Sequence, residues 1–298
     1  MRILITGANG QVGWELQRTL QTLGEVAACD RGALDLANPD AIRGKVREMR
    51  PHVIVNAGAY TAVDRAESEP DVALAVNGAA PGILAEEAKR LGALLVHYST
   101  DYVFDGTKPG AYLESDEPNP VSVYGATKLA GEKAIAAAGG AYLIFRTSWV
   151  YGRRGKNFLL TMLRLAAERE ELRVVDDQVG APTWCRTIAE ATAQVIAKLS
   201  GPEGIDVERS IELRGIYNLT AGGSVSWCGF ARAIVEATRA RRGGASPKVT
   251  PITTAEYPLP ARRPANSVLS NAKFQRAFDL ACPAWDHALD LCLADLAG

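Results

Sequence analysis

A phenol and an ammonium stand four residues apart in Tyr124-Gly125-Ala126-Thr127-Lys128. On a helix, residues at that spacing share one face. A phenol with an ordinary pKa near ~10 is a poor acid at neutral pH. A neighbouring ammonium, or a cationic nicotinamide, favours the phenolate and lowers that value. Tyr124 with Lys128 can therefore deliver a proton to a carbonyl oxygen, and Lys128 can also hold ribose hydroxyls. Upstream, Ser99-Thr100-Asp101 closes an apolar run. A hydroxyl from Thr100 there can hydrogen-bond the same oxygen and stabilise charge developing on it.

At the N-terminus, Gly7-Ala8-Asn9-Gly10-Gln11-Val12-Gly13 follows another apolar run. Gly7 suits a tight turn whose torsions a side chain opposes. Gly10 lets the main chain approach a pyrophosphate, whose charge the following helix N-terminus stabilises. Gly13 allows close packing of strand and helix. Asp30 ends the second apolar run, near the ~20-residue offset where an acid takes the ribose hydroxyls of NAD. Arg31 follows it and suits the 2′-phosphate of NADP, so the residues leave NADH and NADPH both open. A dinucleotide held beside a proton donor makes the chain an enzyme.

The elements that position these groups alternate. Strands are predicted at Arg2–Thr6, Glu25–Cys29, His52–Asn56, Leu94–Ser99 and Tyr142–Arg146, with a last one at Tyr217–Leu219. Between them helices are predicted at Gln11–Leu23, from Pro39 with Asn38 as N-cap, at Pro70–Leu91 and at Pro120–Ala138. Near-continuous apolar strands alternating with helices indicate an α/β fold with a doubly wound, Rossmann-like parallel sheet. Its ligands bind at the carboxyl ends of the strands. Beyond Trp149 the rhythm loosens. Helices are predicted at Asn157–Arg169, Ile188–Leu199 and Trp227–Arg241, with a polar loop over Ser200–Arg209 and a proline-rich stretch from Pro251 to Pro264. The expected division is a dinucleotide-binding domain over 1–148, to which part of 184–219 returns. A smaller, less regular substrate lobe is expected over 149–183 and 220–298.

With 298 residues, 47% of them hydrophobic, the chain can bury a substantial core. A formal charge of −1 gives no electrostatic case for nucleic acid or an anionic membrane. No apolar run is long enough to span a bilayer. Met1–Thr6 reaches glycine after three large apolar residues, too short for the core of a secretory signal, which points to the cytoplasm. Cys29, Cys185, Cys228, Cys282 and Cys292 are scattered, without zinc-ligand spacing to the three histidines. They read as buried or incidental thiols of a reducing compartment, with Cys185 the one whose neighbours suggest reactivity.

These residues resemble the extended branch of the short-chain dehydrogenase/reductase superfamily, which acts on nucleotide-sugars. Closer still is the resemblance of several segments to the dTDP-4-dehydrorhamnose reductase family. They are Gly10–Leu16, His97-Tyr98-Ser99-Thr100-Asp101-Tyr102-Val103-Phe104, Val123–Glu132, Phe145-Arg146-Thr147-Ser148-Trp149-Val150-Tyr151, Asp177–Thr183 and Pro260-Ala261-Arg262-Arg263-Pro264-Ala265-Asn266-Ser267. The resemblance runs from the first strand to about Phe278.

It implies hydride transfer from NADPH or NADH to the C4 ketone of dTDP-6-deoxy-L-lyxo-4-hexulose, giving dTDP-L-rhamnose, with Tyr124 as proton donor, assisted by Lys128 and Thr100. Gly10, Gln11, Val12, Asp30, Asp35, Leu36, Ala59, Tyr60, Thr61, Tyr98 and Lys128 match cofactor positions, beside Gly7, Gly13, Arg31 and Tyr124. Thr100, Asp101, Trp149, Asn157 and Arg263 are the substrate candidates, the last because a guanidinium suits a diphosphate. Some members are described as magnesium-linked homodimers. Glu15 matches one acidic position, but Trp184-Cys185-Arg186-Thr187 stand where a second acid is expected, and Glu190 is the nearest, so no metal is assigned. The alternatives are a non-catalytic binding subunit of the same fold, like the methionine adenosyltransferase β subunit, and another nucleotide-sugar reductase or epimerase.

Overall fold

A computed structural model describes residues 1–201, 204–239, 243 and 246–296. Six strands pair in parallel: β1 (Arg2–Thr6), β2 (Glu25–Cys29), β3 (Val53–Asn56), β4 (Leu94–Thr100), β5 (Tyr142–Thr147) and β6 (Gly215–Asn218). Their order across the sheet is β6-β5-β4-β3-β1-β2. The chain steps from β1 out to β2, then crosses back over β1 to β3. The winding therefore reverses between β1 and β3, and a doubly wound sheet takes its ligands outside the strand ends at that switch point.

The strands are apolar on both faces because helices cover both. Side chains alternate along a strand, so Ile3 and Ile5 face one layer while Leu4 faces the other; Val53 and Val55 oppose Ile54, and Leu143 and Phe145 oppose Ile144. The first layer contains Leu16 and Leu20 in or just beyond α1 (Gln11–Thr19), Ile188 and Val195 of α6 (Cys185–Lys198), and Phe274 and Phe278 of α8 (Ala272–Phe278). On the other side lie Ile42 and Val46 of α2 (Pro39–Met49), Leu84 and Ala85 of α3 (Ala80–Leu91), and Ile135 of α4 (Val123–Ala138). A further buried cluster contains no residue of the sheet. It joins Leu159 of α5 (Phe158–Glu168), Phe230 and Ile234 of α7 (Trp227–Ala237), Leu289 of α9 (Trp285–Asp295), Tyr151 and Trp184. α8 packs in the sheet's core although it falls in the 220–298 range drawn for the lobe.

Several boundaries differ from the sequence reading, each for a local reason. Asn38 caps α2 by accepting from the N–H groups of Asp40 and Ala41, as expected. Ser122 caps α4 through the Gly125 N–H, so that helix starts at Val123 rather than Pro120. α1 ends at Thr19, short of Leu23. The stretch Pro70–Leu91 is not one α-helix: Pro70–Leu74 leads into a π-helical turn at Ala75–Ala79 before α3. Pro81 has no N–H to return to the Asn77 carbonyl, which breaks the i→i−4 ladder there. Ser200–Arg209 holds a short hairpin, Ser200–Gly201 with Gly204–Ile205, and the start of helix Val207–Glu212; Pro202 and Glu203 lie outside the described residues. α7 ends at Ala237, and Arg241 of its predicted span also lies outside the described residues. The parallel pair Glu171–Val175 with Lys248–Ile252 was not expected, nor were α8 and α9.

The π-helical turn lies against α4 so tightly that a Cβ on Gly131 would sit 2.1 Å from the Asn77 carbonyl oxygen. In a free helix, alanine is better than glycine by ~1 kcal/mol. Overpacking against fixed backbone costs ~1–3 kcal/mol or more and wins here. Gly131→Ala should lower unfolding stability by about 1–2 kcal/mol in urea titration; unchanged or raised stability would show that the two segments separate freely.

Candidate functional site

The turn between β1 and α1 meets the turn after β3 with no space between them. Gly7 has φ +69°, and a Cβ on it would stand 2.6 Å from the backbone of Gly58. The Gly7 carbonyl accepts from the Gly10 N–H at 2.9 Å. A Cβ on Gly13 would lie 2.1 Å from that same oxygen. Gly10 is the N-cap of α1 and offers no side-chain acceptor to the first-turn N–H groups. Such an N-terminus suits an anion that can come close to bare backbone.

A groove of about 540 Å³ opens above these turns. Gly7, Gly10, Gln11 and Val12 form its floor, and Asp30, Arg31, Asp35 and Leu36 one end. Ala59, Tyr60 and Thr61 line it from the turn after β3, and Tyr98, Tyr124 and Lys128 close the other end. Gly13 does not reach it and serves the packing behind Gly7. The Asp30 carboxylate accepts from Asn9 Nδ2 at 2.9 Å and from the Ala33 N–H at 3.0 Å. Arg31 remains 85% exposed in its side chain. Asn77, in the π-helical turn, exchanges hydrogen bonds with Tyr60 N–H and C=O at 2.8 and 3.0 Å and so holds that wall. Asn9, Ser99 and Thr147, which lie within the sequence motifs but were given no role, also line the groove, as does Lys156, which no motif marks.

Lys128 is 2% exposed. Its Nζ donates to the Tyr98 carbonyl at 2.6 Å and stands 3.3 Å from His97 Nε2. Burial draws the ammonium down to about 8, against the opposing pull of Glu132 one turn on. Burial raises Tyr124 to about 12, with a hydrogen-bonding contact to Thr100 working the other way. The sequence reading lowers this phenol through Lys128. The site raises it instead, because burial dominates and the lysine nitrogen is directed to Tyr98 and His97. Thr100 donates to Asp101 Oδ1 at 2.9 Å. Asp101 is raised to about 6 by burial, despite hydrogen bonds from Ser267, Thr100 and Ser148.

Under these groups lies a buried ion pair that sequence reasoning missed. Arg146, 1% exposed, grips Glu132 through Nε to Oε1 at 2.9 Å and Nη2 to Oε2 at 2.6 Å. Ser99 donates to the same carboxylate at 2.5 Å. An arginine inside the apolar run Leu143–Thr147, with an acid one turn after Lys128, was the available signal.

The substrate candidates are placed less uniformly. Trp149 holds φ +47°, unusual outside glycine. Its indole stacks on Trp227 with ring centres 3.4 Å apart and planes 4° from parallel. Asn157 caps α5 and spends its amide on Gln11 Oε1 at 2.8 Å, Gly152 O at 2.9 Å and Arg154 O at 3.1 Å. Arg263 is bidentate to Asp64, at 3.0 and 2.8 Å. Its segment reaches the catalytic end, since Arg263 also contacts the Tyr102 hydroxyl and Ser267 binds Asp101.

Glu15 does not stand ready for a metal. Arg186 lies between it and Asp295, at 3.2 Å from each, and no group of three His, Cys, Asp or Glu is placed to hold an ion among the described residues. A guanidinium in that position does not fit magnesium. Cys185 is buried, and that burial pushes its thiol up to about 12, which disfavours the thiolate that a nucleophile needs.

Removing one partner of a buried ion pair strands the other charge, at a cost of ~3–5 kcal/mol. Glu132→Gln should therefore lower stability by about 3–5 kcal/mol in denaturant titration; a loss under about 1 kcal/mol would mean that Arg146 finds other compensation.

Over residues 1–297 the chain matches the family described as RmlD substrate binding domain. A dTDP-4-dehydrorhamnose reductase of Burkholderia thailandensis is 52% identical, the match covering 99% of each chain. The crystal structure of a dTDP-4-dehydrorhamnose reductase from Clostridium acetobutylicum superposes with a TM-score of 0.90 at 40% identity, covering 100% of both chains. One from Bacillus anthracis, solved in complex with NADP, gives 0.88 at 37% identity over 99% of both.

Proposed function

The chain belongs to the RmlD substrate binding domain family and aligns end to end with dTDP-4-dehydrorhamnose reductases, and on that footing we propose that it reduces the C4 ketone of dTDP-6-deoxy-L-lyxo-4-hexulose to dTDP-L-rhamnose with NAD(P)H. The observation that carries the reading is the convergence of Tyr124, Lys128 and Tyr98 at one end of the groove whose floor is the glycine turn. The glycines fit a dinucleotide because every Cβ they lack would fill the cradle or push its backbone apart. When bound, the reduced nicotinamide supplies the hydride that reaches C4.

The remaining work belongs to side chains of this chain. Tyr124 gives its proton to the C4 oxygen as the carbonyl becomes an alcohol. Its raised pKa keeps it protonated, and therefore a donor, throughout the neutral range. Thr100 orients that oxygen, and Lys128 holds ribose hydroxyls and meets the charge left on the phenol. Asp101 and Trp149 take the sugar side. Asn157 acts through Gln11, to which its amide is tied. Arg263 takes the diphosphate by exchanging Asp64 for it. The lobe of 149–183 and 220–298, without α8, closes on the cofactor domain. Arg31 favours NADPH over NADH, for its guanidinium is exposed at the groove and loosely held by a 4.0 Å pair with Asp35, while the Asp30 oxygens are engaged by Asn9 and Ala33. The five free cysteines accord with a cytoplasmic enzyme, and no helix among the described residues is long and apolar enough to cross a membrane. A homodimer belongs to the same reading, and light scattering on the purified chain should give twice 31.8 kDa.

Purified protein should oxidise NAD(P)H stoichiometrically when given the dTDP-4-keto sugar. No consumption beside an active control enzyme would leave a binding subunit, and sugar interconversion without net oxidation would mark an epimerase. Tyr124→Phe should cut kcat by about 10²–10⁴-fold, the usual contribution of a general acid, while cofactor affinity stays nearly unchanged. Equal loss of both would make Tyr124 structural. Arg31→Ala should raise KM for NADPH well above its effect on NADH; parallel effects would remove Arg31 from cofactor choice.

A further inference from the structure

His97 faces Lys128 from the core and has no part in the reaction as described. It is wholly buried in β4, and burial together with the Lys128 charge holds its pKa well below the usual imidazole range, so the ring is neutral. A neutral imidazole carries one hydrogen, and the bond made by one nitrogen decides which nitrogen bears it. His97 Nδ1 lies 2.9 Å from Asn56 Nδ2. The orientation of Asn56 is set one step further back. The Gly58 N–H donates to Thr6 Oγ1 at 3.2 Å, and the Thr6 hydroxyl donates to Asn56 Oδ1 at 2.6 Å. Thr6 is fully buried, and turning the Asn56 amide over would remove the acceptor of its hydrogen, which is expensive away from water. Asn56 therefore donates through Nδ2, His97 accepts at Nδ1, and the ring hydrogen falls on Nε2, 3.3 Å from Lys128 Nζ.

We propose that His97 is a positioning residue for Lys128: it presents an N–H rather than a lone pair to the lysine nitrogen, and so favours the free amine over the ammonium. This rests on the reading that Lys128 serves the reduction. The directed chain Gly58, Thr6, Asn56, His97, Lys128 couples the dinucleotide turn at β1 and β3 to the proton-bearing end of the site. Among the described residues, no other group around Lys128 acts in this direction through a hydrogen bond. The Tyr98 carbonyl from β4 accepts from the ammonium, and Glu132 on α4 favours it. Arg146 of β5 is spent on Glu132, Tyr124 shares the helix as a neutral phenol, and Asp101 is engaged by Thr100 and Ser148. Burial draws Lys128 down to about 8, and an N–H from His97 acts in the same direction as that burial.

The chain contains three histidines, so ¹⁵N NMR of the imidazoles in the intact protein resolves His97 from His52 and His287. Hydrogen on Nε2 with Nδ1 bare across the neutral range is the expected result. Hydrogen on Nδ1 would overturn the proposal, and neither result requires turnover. The second readout is the alkaline limb of kcat/KM for the dTDP-4-keto sugar. His97→Gln lets a carbonyl oxygen turn to the ammonium, and the limb should move up by about one unit, a tenfold gain in proton affinity. Thr6→Val does not contact Lys128; it takes the acceptor from the Gly58 N–H at the groove wall and frees Asn56 to turn, and should shift the limb in the same direction by less. A limb unmoved in the folded His97→Gln variant, with only kcat reduced, would make His97 merely structural and overturn the proposal. Absence of turnover in the wild type would sink the reductase reading while leaving the NMR result interpretable.

Discussion

The carbonyl of Gly7 is approached from several sides at once. It receives the Gly10 N–H, it faces the α-carbon of Gly13 at a distance that admits no Cβ, and its own residue abuts Gly58. This contact fixes how far the first helix stands from the first strand and how closely the β1 and β3 turns approach. The groove inherits its floor from that spacing. β4 pairs with β3, and β5 with β4, and this register carries Ser99, Thr100 and Thr147 to the same end of the sheet. Three missing side chains thereby set the height at which hydroxyls, phenol and lysine meet.

The catalytic end of the site is built from buried polarity. Lys128, Asp101, Glu132 and Arg146 are each 2% exposed or less, and such groups persist only when paired or hydrogen-bonded. Each has partners drawn from β4, β5 or α4. The result is a layer in which protonation states are set by geometry rather than by water. Tyr124 stands above its ordinary value and Lys128 below, which widens the gap between them, and burial moves both because it disfavours whichever form is charged. For the lysine the cause is lost hydration; for the tyrosine it is the penalty on a buried anion.

Local signals carried much of this. Alternating apolar strands and helices define the sheet, and Asn38 and the glycines mark where a helix begins or turns tighten. Those signals are short-range, so they survive in the bare sequence. What escaped is what depends on distant partners. The π-helical turn exists because Pro81 and Asn77 act together across an otherwise helical stretch. The strand pair of 171–175 with 248–252 joins segments more than seventy residues apart. Arg146 sits in an apolar strand, and the partner that holds it there, Glu132, belongs to another element. Arg263 and Asn157 are engaged by Asp64 and Gln11 through contacts that spacing does not reveal.

The clasp between Arg263 and Asp64 has a consequence for ionic strength. In the proposed binding mode, a diphosphate arriving at Arg263 would replace one anion by another, so an ion pair would be broken for each one formed. Screening weakens both pairs, and the two effects oppose each other in the binding equilibrium. Association at this arginine should therefore respond to salt less steeply than at an unpaired surface guanidinium. Asp64 would make nucleotide-sugar affinity tolerant of changes in the surrounding electrolyte, at the expense of its maximum strength.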